Sequence, residues 1–466
     1  MRTLILLLTS LTLSACYNTT AVKAVDAEPV NGVHSHTLDN GMKVLVKEVG
    51  RAPVVVSQVW YKVGSSYEYD GITGVSHILE HMMFKGTENH PAGEFSEIIA
   101  ANGGRENAFT GKDFTAYFQR IANDRLELCL RMESDRMTNL LLQEEDFIKE
   151  LEVVKEERRL RTEDNPMALT YERFNSVAWN NNPYRQPIIG WMEDIETMTV
   201  DDMRYWYRKW YAPNNATLIV VGDVKAAEVF SMAEEYFGGI EPSEIKQLKP
   251  RKEARQLGTR RIEVKLPAKL PFLVMGYKVP SLNTAADDQE VYALEVLSGV
   301  LDGGSSARLA RELVRGSEIA TSVGASYGFS TRHETMLTLS AIPAQGIDAQ
   351  RIETELRAQI DRLKEDLVGQ EEIDRVIAQV LAGNVYEQDS SFYQAMKMGI
   401  METIGAGWER TAEYTERIRS VTPEQIREVA RKYLIDDNLT VAELVPQPIS
   451  EPSQVAGIAG GDHHAR

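Results

Sequence analysis

Two stretches of this chain align without a gap, about half the mature length apart. TVDDMRYWYRKWYAPNNATL, residues 199–218, lies over TPEQIREVARKYLIDDNLTV, residues 422–441. Thr199/Thr422, Arg204/Arg427, Arg208/Arg431, Lys209/Lys432, Asn215/Asn438 and Thr217/Thr440 are identical. Tyr61-Lys62-Val63 recurs as Tyr277-Lys278-Val279, at a similar spacing and in the same order. At 466 residues the chain is too long for one ordinary core. The repeat therefore predicts two copies of one α+β unit. Each copy is expected to be a mostly antiparallel sheet with helices packed on one face, the pair forming a clam-like cleft. Residues 36–240 make the first domain and 261–446 the second. Residues 241–260 are charged, carry two prolines and lack apolar periodicity, so they read as an interdomain linker.

The halves differ in chemistry. HILEH, residues 77–81, sits on a predicted helix running from about Gly74 to Met83. His77 and His81 are four apart and stack on one helix face. Two neutral imidazoles there suit Zn²⁺. Glu80, a turn from His77, can take a proton from water that the metal activates. This H-x-x-E-H order inverts the thermolysin-type order. The corresponding stretch of the second half, roughly Tyr292 to Leu301, holds no His, so only the first half is expected to be catalytic. A catalytic zinc needs a third protein ligand and one open position. In KELEVVKEERRL (149–160), Glu150, Val154 and Glu157 fall on one face at i, i+4, i+7. That face can meet a neighbouring helix with Val154 between two carboxylates. Glu156 is a rival for the ligand role, about 100° around the helix from Glu157.

The remaining elements follow from period and turn chemistry. HTLDNGMKVLV (36–46) predicts a hairpin turning at Asn40-Gly41. Val54 to Val63 is rich in β-branched residues and should sit centrally in a sheet. Glu94 to Ala101 reads as a helix, and ENAFTGKDFTAYF (106–118) as two strands around Gly111-Lys112. Helices are expected at 123–140, 144–162 and Thr199 to Trp210, and a buried strand at Ala216 to Val221.

At the start of the chain, Arg2 precedes an apolar run from Leu4 to Leu13 that is too short to span a bilayer. It ends in Leu13-Ser14-Ala15-Cys16, which resembles the lipobox of bacterial lipoproteins. That resemblance implies a signal peptide over 1–15, acylation of Cys16 and firm membrane anchoring. Tyr17, in place of Asp, implies the periplasmic face of a Gram-negative outer membrane. Residues 16–35 read as a tether and 447–466 as a flexible tail that includes His463 and His464. The net charge of −18 argues against nucleic acid as a partner. Cys129, among apolar helical residues, is expected to be a buried inert thiol with no disulfide partner.

HILEH, the distant ELEVVKEE, ENAFT and the duplicated halves together resemble the pitrilysin/insulinase metallopeptidases, especially the branch that includes the mitochondrial processing peptidase. The resemblance spans essentially the whole mature chain. It implies a zinc endopeptidase with one Zn²⁺ per chain, held by His77, His81 and Glu157, with Glu80 as general base. Glu150 matches an acid that orients His77 or His81 and raises its basicity. Asn107, Ala108 and Phe109 match an edge strand that binds extended, unfolded peptide substrates through main-chain hydrogen bonds. One departure stands out. The family's second domain normally carries an Arg and, seven residues on, a Tyr that hold substrate. Those positions are Val314 and Thr321 here; Arg315 is one step off, and the next Tyr is Tyr327. The resemblance then implies the zinc-bearing subunit of a heterodimer with a paralogue that carries the pair, or else a homodimer. The alternative is a noncatalytic structural or chaperone-like member of the same family.

Overall fold

The computed structural model describes residues 29–449, apart from 247 and 250. The expected signal peptide over 1–15, Cys16, most of the expected tether and His463 and His464 lie outside the described residues.

Two sheets carry the fold. The first joins β1 (Val33–Thr37), β2 (Lys43–Glu48), β3 (Val54–Tyr61), β4 (Arg105–Thr110), β5 (Thr115–Ala122) and β6 (Ala216–Gly222). Its order is β1-β2-β6-β3-β5-β4. The second joins β7 (Arg260–Pro267), β8 (Phe272–Val279), β9 (Ala320–Tyr327), β10 (Thr335–Pro343) and β11 (Leu439–Gln447), in the order β7-β11-β8-β10-β9. From β2 to β4 the first order repeats strand for strand in the second. Each sheet has one parallel pair, β2 with β6 and β7 with β11, and is otherwise antiparallel. VVVSQVWY and FLVMGYKV occupy matching interior positions and are apolar on both faces because both faces are covered.

The repeated residues do the same local work twice. Thr199 and Thr422 each begin a helix with a reciprocal capping box, to Asp202 and Gln425. The side chains of Asn215 and Asn438 each donate to a carbonyl five residues back, Trp210 O and Tyr433 O, both at 2.9 Å. Both then enter a buried interior strand through Thr217 and Thr440.

The first half contributes α1 (Val75–Met82), α2 (Glu94–Ala101), α3 (Leu126–Thr138), α4 (Glu144–Arg158), α5 (Pro166–Ala178), α6 (Met192–Thr197), α7 (Val200–Trp210) and α8 (Ala226–Phe237). The second contributes α9 (Asp288–Asp302), α10 (Ala349–Glu365), α11 (Gln370–Gln388), α12 (Ser391–Thr403), α13 (Tyr414–Arg419) and α14 (Pro423–Tyr433). Each domain's own helices bury one face of its sheet, as expected. Val55, Val59 and Tyr61 pack with Leu79, Leu130 and Trp206. The opposite face is covered by a helix from the other half. Val56 and Trp60 meet Ala395 and Met398 of α12, while Phe272 and Val274 meet Phe174 of α5. Glycine permits both approaches: a Cβ on Gly399 would lie 2.1 Å from the Trp60 ring, and one on Gly276 would lie 2.5 Å from Phe174. Helices on one face alone would leave the second apolar face of β3 and β8 in water, which the exchange prevents.

Three boundaries move, one of them by a single residue, since Gln447, assigned to the tail, ends β11 and pairs with Pro267. Residues 33–35, assigned to the tether, belong to β1, because Val33 is buried and pairs with Lys47. Arg260, assigned to the linker, opens β7. The linker also binds tightly: Glu253 is buried, accepts from the backbone N–H of Asn180, Asn181 and Asn182, and pairs with Lys278 at 2.8 Å. No described helix is long and apolar enough to cross a membrane.

Candidate metal centre

The helix α1 starts at Gly74, whose φ of +90° suits glycine and whose α-carbon faces the Ile189 carbonyl too closely for a side chain. Gly74 cannot cap the helix, so Glu68 does. Its carboxylate accepts from Gly74 N at 2.7 Å and Ser76 N at 2.9 Å. The buried faces of Val75, Ile78, Leu79 and Met82 then fix the rotation of the helix against the core. His77, Glu80 and His81 are thereby presented together towards α4.

From α4 come Glu150, Val154 and Glu157. Val154 is fully buried between the two helices and sets the spacing of the two carboxylates. Glu157 Oε2 lies 3.4 Å from His81 Nε2, and Glu157 Oε1 lies 3.9 Å from His77 Nε2. One donor atom from each of the three residues falls within 4.8 Å of the others. Donors on a tetrahedral zinc with bonds of ~2.0–2.1 Å stand about 3.3 Å apart, so a small contraction suffices. Glu156, the rival ligand, is exposed and pairs with Arg159 at 3.1 Å. Arg161, one helical turn on, pairs with Glu157.

The donor set fits zinc electrostatically as well. Burial, helped by the charges of His81 and Arg161, pulls His77 down to a pKa of about 3, so the ring is neutral and its lone pair available. His81 is opposite in sign. Burial lowers it, but the hydrogen bond and charge of Glu150, with Glu157 and Glu80, raise it overall. Glu150 Oε1 meets His81 Nδ1 at 2.9 Å, so Glu150 orients His81 and not His77. The same hydrogen bond, then Lys85, holds Glu150 down to about 2. With Nδ1–H donated to Glu150, the His81 Nε2 lone pair faces Glu157. Burial raises Glu80, and the Thr110 hydroxyl that donates to its Oε2 at 2.5 Å opposes that rise.

β4 is an edge strand, bonded only to β5. Asn107, Ala108 and Phe109 line a groove of about 710 Å³ together with His77, Glu80, His81 and Glu157. Every lining residue falls between His77 and Ile189. Val314 ends a π turn, Ala310–Val314, and Thr321 lies in β9, its hydroxyl on Ile342 O at 3.2 Å. Arg315 donates to Ser305 O, and Tyr327 donates to Pro280 O at 2.7 Å. None of the four reaches the groove. Cys129 is buried and free, its pKa pushed up to about 12 by burial.

Three residues here were not singled out from sequence. Glu68 is one of 69 acidic residues and reveals itself only through the fold. Lys85 lies in the bend just past the metal helix and was readable as a partner for an acid on α4. Thr110 closes the ENAFT motif whose centre was singled out.

Residues 43–191 match the family model described as Insulinase (Peptidase family M16), and residues 197–380 match Peptidase M16 inactive domain. The chain belongs to the insulinase family of peptidases. The metal helix falls in the first match and the His-free α9 in the second. Among insulinase-family relatives, the zinc protease PqqE of Helicobacter pylori is 34% identical over 346 residues, 73% of this chain and 77% of the relative. An uncharacterized zinc protease of Streptomyces coelicolor is 28% identical over 411 residues, 87% of this chain and 88% of the relative. The crystal structure of a protease from Helicobacter pylori superposes with a TM-score of 0.84 at 31% identity, covering 89% of this chain and 99% of that one. The periplasmic protease PqqL from Escherichia coli shares the fold at a TM-score of 0.74 and 19% identity, covering 90% of this chain and 48% of that one.

Proposed function

We propose that this chain is a zinc-dependent endopeptidase that cuts extended or unfolded peptides. The observation that carries this is the meeting of His77, His81 and Glu157 around one point, with Glu80 beside it in a groove bounded by an open strand edge. Relatives named zinc proteases support the same assignment.

His77, His81 and Glu157 would hold the zinc. When bound, zinc supplies Lewis acidity that acidifies water and polarises a carbonyl. Glu80 accepts the proton of the attacking water and returns it to the leaving amine nitrogen. The Thr110 hydroxyl keeps the Glu80 carboxylate aimed at that exchange. Glu150, itself fixed by Lys85, holds the His81 ring in one tautomer. The free edge of β4 offers main-chain donors and acceptors to an extended peptide, which favours unfolded substrates over folded ones.

The chain works in the cell envelope, anchored through acylated Cys16 to the periplasmic face of the outer membrane, with a paralogous subunit that supplies the missing Arg and Tyr. Support for the partner comes from Val314 and Thr321 in place of that pair and from a groove lined by the first half alone. Incubating the purified chain, with and without a co-purifying partner, on unfolded peptides tests the reading. Cleavage that a chelator abolishes and added zinc restores is expected. Chelator-resistant cleavage would overturn it.

A further inference from the structure

Lys112 lies in the turn between β4 and β5 and lines the same groove as Glu80 and Thr110. Its backbone is fixed, since Ser66 N–H donates to the Lys112 carbonyl at 2.7 Å. Its ammonium donates to Tyr184 O at 2.7 Å and stands 5.0 Å from the centre of the Tyr184 ring. A lysine has three donors, and a neutral carbonyl satisfies one. Among the described residues no carboxylate comes within ion-pair distance of this ammonium.

The other cations of the groove are paired, and so is its Glu172. Glu172 takes both ends of Arg158, at 2.8 and 3.1 Å. Arg185 pairs with Asp70 at 2.7 Å, and Arg161 with Glu157. The neighbouring Asp113 carboxylate already accepts from Ser66 Oγ, Tyr184 OH and the Arg332 backbone. Lys112 is therefore a half-buried cation with spare donors and no direct ion-pair partner, facing only the occupied Asp113 carboxylate nearby, an arrangement that costs free energy until an anion arrives. Burial draws its pKa down to about 8, against the opposing pull of the Asp113 charge.

We propose that Lys112 is a specificity-determining residue that receives a carboxylate of the peptide beside the bond to be cut, from an acidic side chain or a free C-terminus. Thr110, two positions earlier, touches Glu80, so a peptide laid along β4 brings its residues near the scissile bond past this ammonium. The assignment rests on the endopeptidase reading above.

The test uses the full zinc-loaded chain, with any co-purifying partner, and one parent peptide in three forms. One form has a Glu scanned along it and an amidated end. Another is neutral with a free C-terminus, and the last is neutral and amidated. Binding of the same peptides to the Glu80→Gln protein is followed by fluorescence anisotropy. Lys112→Met should lower kcat/KM and affinity for carboxylate-bearing forms about tenfold or more, the size expected of one charge-assisted hydrogen bond. The neutral amidated form should stay near wild type, and Lys112→Arg should keep the preference. Whichever carboxylate form suffers identifies the source, and Lys112→Gln replaces Lys112→Met should the latter fail to fold. Equal losses on all three forms, or none on any, would overturn the assignment. Carboxylate forms that bind through Lys112 yet are never cleaved, with or without the co-purifying partner, would sink the endopeptidase reading and leave this site standing. Cleavage without carboxylate preference does the reverse.

Discussion

α1 and α9 follow equivalent interior strands, β3 and β8, and each packs against the sheet that its strand belongs to. α1 carries His77, Glu80 and His81 on the side turned to α4. α9 is longer, contains no His, and buries nine of its fifteen residues, among them Tyr292, Leu294, Val296 and Leu297. The same supporting frame thus holds a core helix that carries His77, Glu80 and His81 on its open side in one half, and a core helix without histidine in the other. The candidate metal centre is a local property of two helices, α1 and α4, and the second half contributes cover and support. The exchanged helices α5 and α12 show how that support works, because each sheet is complete only with a helix from its twin.

The sharpest break in this contrast comes from carboxylates on the two helices. Glu80→Gln should lower kcat/KM by about 10²–10⁴, the range for a lost general base, with zinc content unchanged. Glu295→Gln on α9 should leave turnover near wild type. Comparable losses in steady-state assays of both variants would erase the division between the halves. A smaller effect is expected one step away from the metal. Glu150→Gln weakens the hold on His81 and should cost about 10–100-fold in zinc affinity, measured by competition with a chromogenic chelator. No change in affinity would remove Glu150 from the site.

The smallest effect concerns pH and is shared by both halves. Burial raises Glu68 and Glu295 each to about 7, against an ordinary value near 4.5. A carboxyl raised in the folded state is better protonated there than when unfolded. The stability it contributes is therefore full below pH 4.5 and is lost as pH rises through 7. Melting temperature should fall across that window in the wild type, and Glu68→Gln and Glu295→Gln should each flatten the fall. A slope unchanged in both variants would contradict these shifts.

Much of the site was legible because helix geometry is local. The four-residue spacing of His77 and His81 and the i, i+4, i+7 face of Glu150, Val154 and Glu157 need only a helical period. The repeat was legible because Thr199 and Asn215, like Thr422 and Asn438, make bonds within a few residues of themselves. What escaped was long-range. Glu68 reaches over a turn to cap α1, and no pattern separates it from the other acids. The exchange of α5 and α12 is invisible because each is an ordinary amphipathic segment whose apolar side does not say which sheet it faces. Val33 looked like tether because only its pairing with Lys47 makes it a strand.

The most direct test is zinc stoichiometry in the purified full chain and in His77→Ala, His81→Ala and Glu157→Ala, measured by plasma mass spectrometry after dialysis. The account predicts one zinc per chain for wild type and little or none for each variant, with folding intact by circular dichroism. A full equivalent of zinc retained by Glu157→Ala would contradict it.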